Sequence, residues 1–203
     1  MQETEVKFYV RDLNRLKVSL EELGAQLVQE RVLETNLRFD LPGASLRAEG
    51  RVLRLRRDTA VRLTYKGASK KETGILSREE IEFVVEDFER AKQFLEALGY
   101  QKLVHYEKYR TTYDLGETHI MLDELPYGDF VEIEGEDARS IRAVADQFNL
   151  SWETAVSTSY VALFERVRKA LKLSFQDISF ANFDGINVDV THLGARAADD
   201  TDS

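Results

Sequence analysis

The sequence predicts an α+β fold of about eight strands, mostly antiparallel, with helices inserted after the first, fifth and eighth. Three observations carry that expectation. Short segments alternate apolar and polar with period two, one strand–helix passage is written twice at a fixed offset, and charge crowds the polar face of nearly every strand. With 203 residues, 43% of them hydrophobic and 32% charged, the chain has the make-up of one globular core.

The first strand opens the chain: Glu3, Glu5 and Lys7 share one face, and Val6, Phe8 and Val10 take the other. Asp12 then caps a helix whose Leu13, Leu16, Leu20 and Leu23 form one stripe, stopped by Gly24. A second extended stretch covers residues 32–40. Further alternating segments follow at residues 51–57 and 60–66, the latter ended by Gly67. Residues 80–101 repeat residues 5–26 at an offset of 75, with 11 of 22 positions identical, so a fifth strand and second helix follow. Alternation returns at residues 104–113, 119–125 and 130–134. After it, Asp137 starts a third helix with Ile141, Val144 and Phe148 inward. Only Pro42 and Pro126 and eleven scattered glycines interrupt the chain, so no internal boundary is drawn before residue 172. Residues 173–203 read as a C-terminal extension. Leu171, Phe175, Ile178, Phe180 and Phe183 are its apolar contacts, and from Asp189 on it is expected to fray.

Composition removes whole classes of chemistry. No cysteine means no disulfide, thiol catalysis, zinc knuckle or iron–sulfur cluster, and His105, His119 and His192 sit alone, which excludes an His-X-His or His-Glu-X-X-His metal site. A net charge of −9 argues against a nucleic-acid surface. There is no signal peptide and no apolar run near membrane length, so a cytoplasmic location without membrane contact is expected. None of the glycines forms either of the two common phosphate-binding loops.

The charged faces hold Glu3, Glu5, Glu80, Glu82, Asp123, Glu132 and Glu134 against Lys7, Arg54, Arg56, Arg62, Lys66, Lys108 and Arg110. A solvated sheet face alternates in this way too, but it would mix in Ser, Thr, Asn and Gln. Here acids and bases are segregated by strand, and the opposite faces are apolar enough to need helices as cover. Helices outside and charge inside predict a closed sheet with a polar lumen. Guanidinium pairs grip phosphate oxygens, and paired carboxylates without His or Cys suit Mg²⁺ or Mn²⁺. The residues therefore point to a polyphosphate-and-metal site built from side chains. Trp152, His105 and His119 read as structural.

In order, Glu3-Thr4-Glu5-Val6-Lys7, Leu53-Arg54-Leu55-Arg56, Leu63-Thr64-Tyr65-Lys66-Gly67, Arg78-Glu79-Glu80-Ile81-Glu82, Lys108-Tyr109-Arg110, Leu122-Asp123-Glu124 and Gly128-Asp129-Phe130-Val131-Glu132-Ile133-Glu134 resemble the CYTH domain. This family, also called triphosphate tunnel metalloenzymes, is shared by class IV adenylyl cyclases and thiamine triphosphatases, and the resemblance runs from residue 1 to about 170, ending with the helix at Ser159-Tyr160-Val161-Ala162-Leu163. It implies an eight-stranded antiparallel closed β-barrel, the triphosphate tunnel, with a charged lumen, helices packed outside, and a domain over residues 1–172. It implies that Lys7, Arg54, Arg56, Lys66, Lys108 and Arg110 hold the triphosphate, with Lys7, Arg54, Arg56 and Lys66 as the catalytic set. Glu3, Glu5, Asp123, Glu132 and Glu134 would hold Mg²⁺ or Mn²⁺, and Glu80 and Glu82 would complete the substrate-binding wall. The periodicity aims Arg62 the same way, but the motif does not include it. The implied activity is metal-dependent cleavage of a triphosphate-bearing small molecule, by hydrolysis first, with cyclisation of ATP to cyclic AMP as the alternative and non-catalytic binding as a third. The family commonly dimerises, which leaves room for a homodimer. One departure stands out: many members have Tyr-Phe-Asp on the second strand, where this chain has Arg38-Phe39-Asp40.

Overall fold

The computed structural model describes residues 2–68, 70–72 and 75–200, apart from the side chains of residues 2, 3, 70–72 and 75–77. Nine strands make one antiparallel sheet: β1 (Gln2–Val10), β2 (Gln26–Asp40), β3 (Val52–Arg57), β4 (Val61–Lys66), β5 (Lys70–Glu72), β6 (Ile75–Val85), β7 (Gln101–Leu115), β8 (Thr118–Leu125) and β9 (Gly128–Glu134). The order is β1-β9-β8-β7-β2-β3-β4-β6-β5, and β1 also pairs with β6. The helices are α1 (Leu13–Glu22), α2 (Ser45–Ala48), α3 (Phe88–Ala97), α4 (Ala138–Gln147), α5 (Tyr160–Ala170) and α6 (Val190–Leu193).

The repeated passage becomes the same unit three times, β1–α1, β6–α3 and β9–α4. In each, an aspartate (Asp12, Asp87, Asp137) accepts a hydrogen bond from a first-turn backbone N–H. The three exits are left-handed, at Gly24 (φ 75°), Gly99 (φ 92°) and Asn149 (φ 53°), which ends the helix and turns the chain into the next segment. Leu16 and Leu20 of α1 and Ile141, Val144 and Ala145 of α4 bury the stripe facing Val6, Phe8, Val131 and Ile133. Phe88 and Leu95 of α3 do the same against Leu37, Phe39 and Leu55. The helices thus cover most of the apolar face, with Ile81 and Phe83 of β6 left exposed, and the charged side chains line the other face.

The expected eight-stranded closed barrel is corrected by the strand pairing. A ninth strand, β5, hangs on β6 as a hairpin arm. More important, the sheet does not close along its length. β1 meets β6 through Gln2–Glu5 alone, opposite Leu76–Glu79. From residue 80 on, β6 is paired with β4. Beyond Glu5 the free edge of β1 is taken by other parts of the chain: the N–H of Val156 donates to the Lys7 carbonyl at 2.7 Å, and that of Ala198 to the Tyr9 carbonyl at 2.8 Å. The physical reason is register. Beyond Glu5 the antiparallel pairing would set Val6 opposite Ile75, the first residue of β6, and β6 then has no residue left to face Lys7 or Tyr9.

The segment after residue 172 is docked as far as Asp200, in contrast to the fraying expected from Asp189. Ile178, Phe183, Val190 and Leu193 are buried with Tyr127, Phe130 and α5. Ile178 also exchanges backbone hydrogen bonds with His105 and Glu107 at 2.8 Å. Asp199 accepts from the N–H groups of Arg11 and Asp12 at 2.9–3.0 Å.

Candidate active site

Alternation within each strand sends every second side chain to the concave face, where they line one cavity of about 820 Å³. Its acidic side is Glu5 of β1 and Glu132 and Glu134 of β9, adjacent strands in which Glu5 stands opposite Glu134 and Lys7 opposite Glu132. Its basic side comes from strands further around the sheet: Lys108 and Arg110 of β7, Arg54 and Arg56 of β3, and Lys66 of β4. Glu80 and Glu82 of β6 lie between the two sides. The cavity therefore gathers Lys7, Arg54, Arg56, Lys66, Lys108, Arg110, Glu5, Glu80, Glu82, Glu132 and Glu134. Arg62 is absent from the wall. It pairs with Asp58 at 2.6 Å and reaches the Glu82 carboxylate at 3.5 Å.

Asp123 is also absent from the wall, and its role differs from that of the other acids. It is fully buried, with one oxygen 2.6 Å from Arg110 Nε and the other accepting from Arg110 Nη2, Lys108 Nζ and the Tyr160 hydroxyl at 2.6, 2.9 and 2.7 Å. With both oxygens engaged, Asp123 orients two cations from behind rather than offering a ligand to the cavity. Tyr160 adds a second brace. Its hydroxyl lies 3.3 Å from Glu132, and its ring faces the Lys7 ammonium 4.4 Å from the centroid.

The remaining cations are held loosely. Lys7 lies 3.5 Å from Glu132 and Arg54 3.6 Å from Glu82, while Arg56 is 3.4–3.6 Å from Glu34, Asp58 and Glu82. Lys66 makes a shorter contact with Glu80, at 2.7 Å. The Nε atom of Arg54 is buried without a hydrogen-bond partner, and that of Arg56, also buried, makes no hydrogen bond and faces Asp58 only at 3.4 Å. Buried donors in this state carry an unmet desolvation cost that a ligand oxygen would remove.

Electrostatics follow the same layout. Burial would raise the Glu34 carboxyl, yet Lys108, Arg110, Arg56 and Arg54 bring it down to about 2. Burial also opposes ionisation of Glu132, but Lys7, Arg110 and Lys108 hold it well below the usual carboxylate range. Glu5 moves the other way, pushed up by burial and by the neighbouring Glu132, to which it is hydrogen-bonded. Burial would raise the Tyr106 phenol, but Arg54 and Lys108 pull it below its ordinary value.

Several members of this site escape the sequence reading. Glu34, 2% exposed, is the counter-ion at the centre of the basic side. It belongs with Asn36 and Arg38 to one face of β2, and extending the charge inventory to that strand would have found it. Arg78, 3.5 Å from Glu5, and Tyr106 and Tyr160 also line the cavity. The residues set aside as structural divide. Trp152 packs edge-on to Phe8 at 5.9 Å and His105 lies beside Glu107, whereas His119 reaches the cavity wall while pairing with Asp114.

As a metal site, the donor set fits in part. Among the described residues no three His, Cys, Asp or Glu side chains are gathered closely enough to form a metal cluster. The side chain of Glu3 lies outside those residues. What fits a hard divalent cation is the hydrogen-bonded Glu5–Glu132 carboxylate pair with Glu134 beside it on β9, all oxygen donors.

The chain is similar to known proteins in sequence and in fold. The model of the CYTH domain matches residues 1–159. Adenylate cyclase CyaB of Aeromonas hydrophila is 28% identical over 135 residues, 64% of this chain and 67% of its own. A protein of Methanocaldococcus jannaschii, provisionally named an adenylate cyclase, is 26% identical over 174 residues, covering 80% of this chain and 98% of its own. Among solved structures, a Hippeastrum protein first taken for an adenylyl cyclase and described as having a dominant triphosphatase activity has a TM-score of 0.62 at 18% identity, covering 80% of this chain and 95% of its own. With a family match across most of the chain, and with the motif residues brought together on one concave face, the chain belongs to the CYTH domain family.

Proposed function

We propose that this protein is a metal-dependent enzyme that cleaves a triphosphate-bearing small molecule, by hydrolysis. One observation carries the reading: cations from β3, β4 and β7 face the carboxylates of β1 and β9 across a single cavity. Lys7, Arg54, Arg56, Lys66, Lys108 and Arg110 bind the phosphoryl oxygens and offset the charge that gathers on them as the bond breaks. The paired Nε and Nη groups of Arg54 and Arg56 suit bidentate contacts to phosphate. Glu5, Glu132 and Glu134 would hold Mg²⁺ or Mn²⁺, with Glu3 as a fourth candidate. When bound, such an ion supplies Lewis-acid polarisation of a phosphoryl oxygen. Glu80 and Glu82 hold Lys66 and Arg54 in place.

A second reading, cyclisation of ATP to cyclic AMP and pyrophosphate, is favoured by the name of the Aeromonas relative. The Hippeastrum protein's triphosphatase activity leans the other way. Cyclisation needs a base pocket and a ribose placed in line with the α-phosphorus. Val52, Ile81 and Val161 are the apolar side chains on the cavity wall, a small surface for that task, and hydrolysis does not need it. Incubation of the pure protein with ATP, thiamine triphosphate or inorganic triphosphate, with Mn²⁺ or Mg²⁺, separates the readings. ADP or orthophosphate release supports hydrolysis, cyclic AMP with pyrophosphate replaces it by cyclisation, and no turnover of any substrate refutes both.

A further inference from the structure

Arg38 is the cavity-lining cation for which the described residues provide no carboxylate within 4.0 Å and no hydrogen-bond acceptor, although Asp40 two positions on feels its charge. Lys7, Arg54, Arg56, Lys66, Arg78, Lys108 and Arg110 each have a carboxylate within 4.0 Å. Arg38 on β2 stands directly opposite Arg54 on β3, an arrangement of like charges that destabilises a sheet unless an anion bridges them. Burial works against its charge, and so do the nearby cations Arg78, Arg54 and Arg47, which the Tyr106 phenol offsets only in part. The same side chain borders a second cavity of about 320 Å³, whose wall also holds Arg47 and Arg168. Ser159 and Val161, at the start of α5, are shared by both cavities as well. Arg168 is engaged with Glu165 at 2.9 Å, whereas no carboxylate pairs with Arg47 among the described residues.

We propose that Arg38 extends the phosphate site past the third phosphoryl group, so that the preferred ligand is a linear phosphate chain longer than triphosphate, running from the main cavity over Arg38 towards Arg47. This rests on the triphosphate reading above and narrows its substrate class. The anion would bridge Arg38 and Arg54, replacing their mutual repulsion by two charge-assisted contacts. A ligand that ended at the third phosphoryl group would leave Arg38 and Arg47 as they stand, uncompensated.

The test compares inorganic tripolyphosphate with a longer linear inorganic polyphosphate by titration calorimetry on the full chain. Wild type is expected to bind the longer chain more tightly by about tenfold or more, the worth of one or two charged hydrogen bonds. Arg38→Gln and Arg47→Gln should each shrink that ratio towards one. Since Arg38→Gln breaks no ion pair within 4.0 Å and relieves the repulsion from Arg54 and Arg78, the unliganded variant should melt no lower than wild type, and Arg47→Gln tests the same path from an exposed position. A wild type that binds tripolyphosphate but favours the longer chain no further, or variants that keep the ratio, would overturn this proposal alone. A wild type that binds neither would overturn the triphosphate reading with it.

Discussion

Glu34 offers the sharpest test of how the basic side of the cavity is held together. Replacing it by glutamine keeps its size and removes its charge, leaving Lys108, Arg110, Arg56 and Arg54 without their shared counter-ion. A carboxyl drawn from its ordinary 4.5 to about 2 prefers its charged form by about 3 kcal/mol, at ~1.4 kcal/mol per pH unit. Removing one member of a buried ion pair costs about 3–5 kcal/mol by an independent route. The two agree, and for a domain of this size about 3 kcal/mol lowers the melting temperature by roughly 6–12 °C. The sign with pH follows from the direction of the shift. A carboxyl lowered in the folded state stabilises above its unfolded value, and that contribution disappears as pH falls from 4.5 towards 2. Thermal unfolding of wild type and Glu34→Gln should therefore differ most at pH 6–8 and converge in acid. Glutamine should also tighten tripolyphosphate binding, since the cations then have only the ligand to face. A variant as stable as wild type at neutral pH, or one whose deficit persists unchanged in acid, would refute Glu34 as the counter-ion.

Three further outcomes are expected. The double variant Glu132→Gln/Glu134→Gln should lose the rise in melting temperature that MnCl₂ gives together with tripolyphosphate, an effect of about 2.7 kcal/mol at a hundredfold excess over Kd in the intact site; a retained metal response would place the ion elsewhere. Asp129 is raised to about 6 by burial and by Glu124, so it favours folding below its unfolded value of 3.8 and loses that contribution as pH rises through 6. Asp129→Asn should accordingly stabilise at pH 8 by about 1 kcal/mol, a figure discounted for its partial exposure, and not at pH 4, as read by denaturant titration. Ile178→Ala, at a fully buried position in the C-terminal segment, should cost about 2–4 kcal/mol in the same assay, whereas a loosely docked segment would show almost nothing.

The parts of this fold legible in the sequence are those written locally. The aspartate caps and the glycines that end α1 and α3 lie within a few residues of what they control, so the duplicated passage translated directly into duplicated structure. The charged face was legible for the same reason, since alternation is a property of neighbours. Glu34 and Arg38 escaped because β2 was read as an extended stretch without an inventory of its faces. Asp123 was read as a cavity acid because alternation gives a side chain's face and not its depth, and Lys108, Arg110 and Tyr160 close over it from other elements. The seam of the sheet and the docking of the last segment depend on partners 71 to 189 positions away, from Leu76 opposite Glu5 to Ala198 on Tyr9. No periodicity marks Ile178, Phe183, Val190 and Leu193 as belonging together.

The covering of β1 by the end of the chain also sets a timetable for synthesis. β1 emerges from the ribosome well before its cover: Ala198, which occupies the Tyr9 carbonyl, is 189 positions later, and Asp199 stands 188 after Arg11. At 5–20 residues per second that interval is about 10–40 s. During it, β1 exposes a hydrogen-bonding edge beside Val6, Phe8 and Val10, residues that are almost wholly buried in the finished protein. An unpaired apolar edge is a template for other nascent chains. The charges of Glu5 and Lys7 on its opposite face make this strand a poorer template than its apolar residues alone would, so the residues that later serve the cavity first serve as its protection during translation.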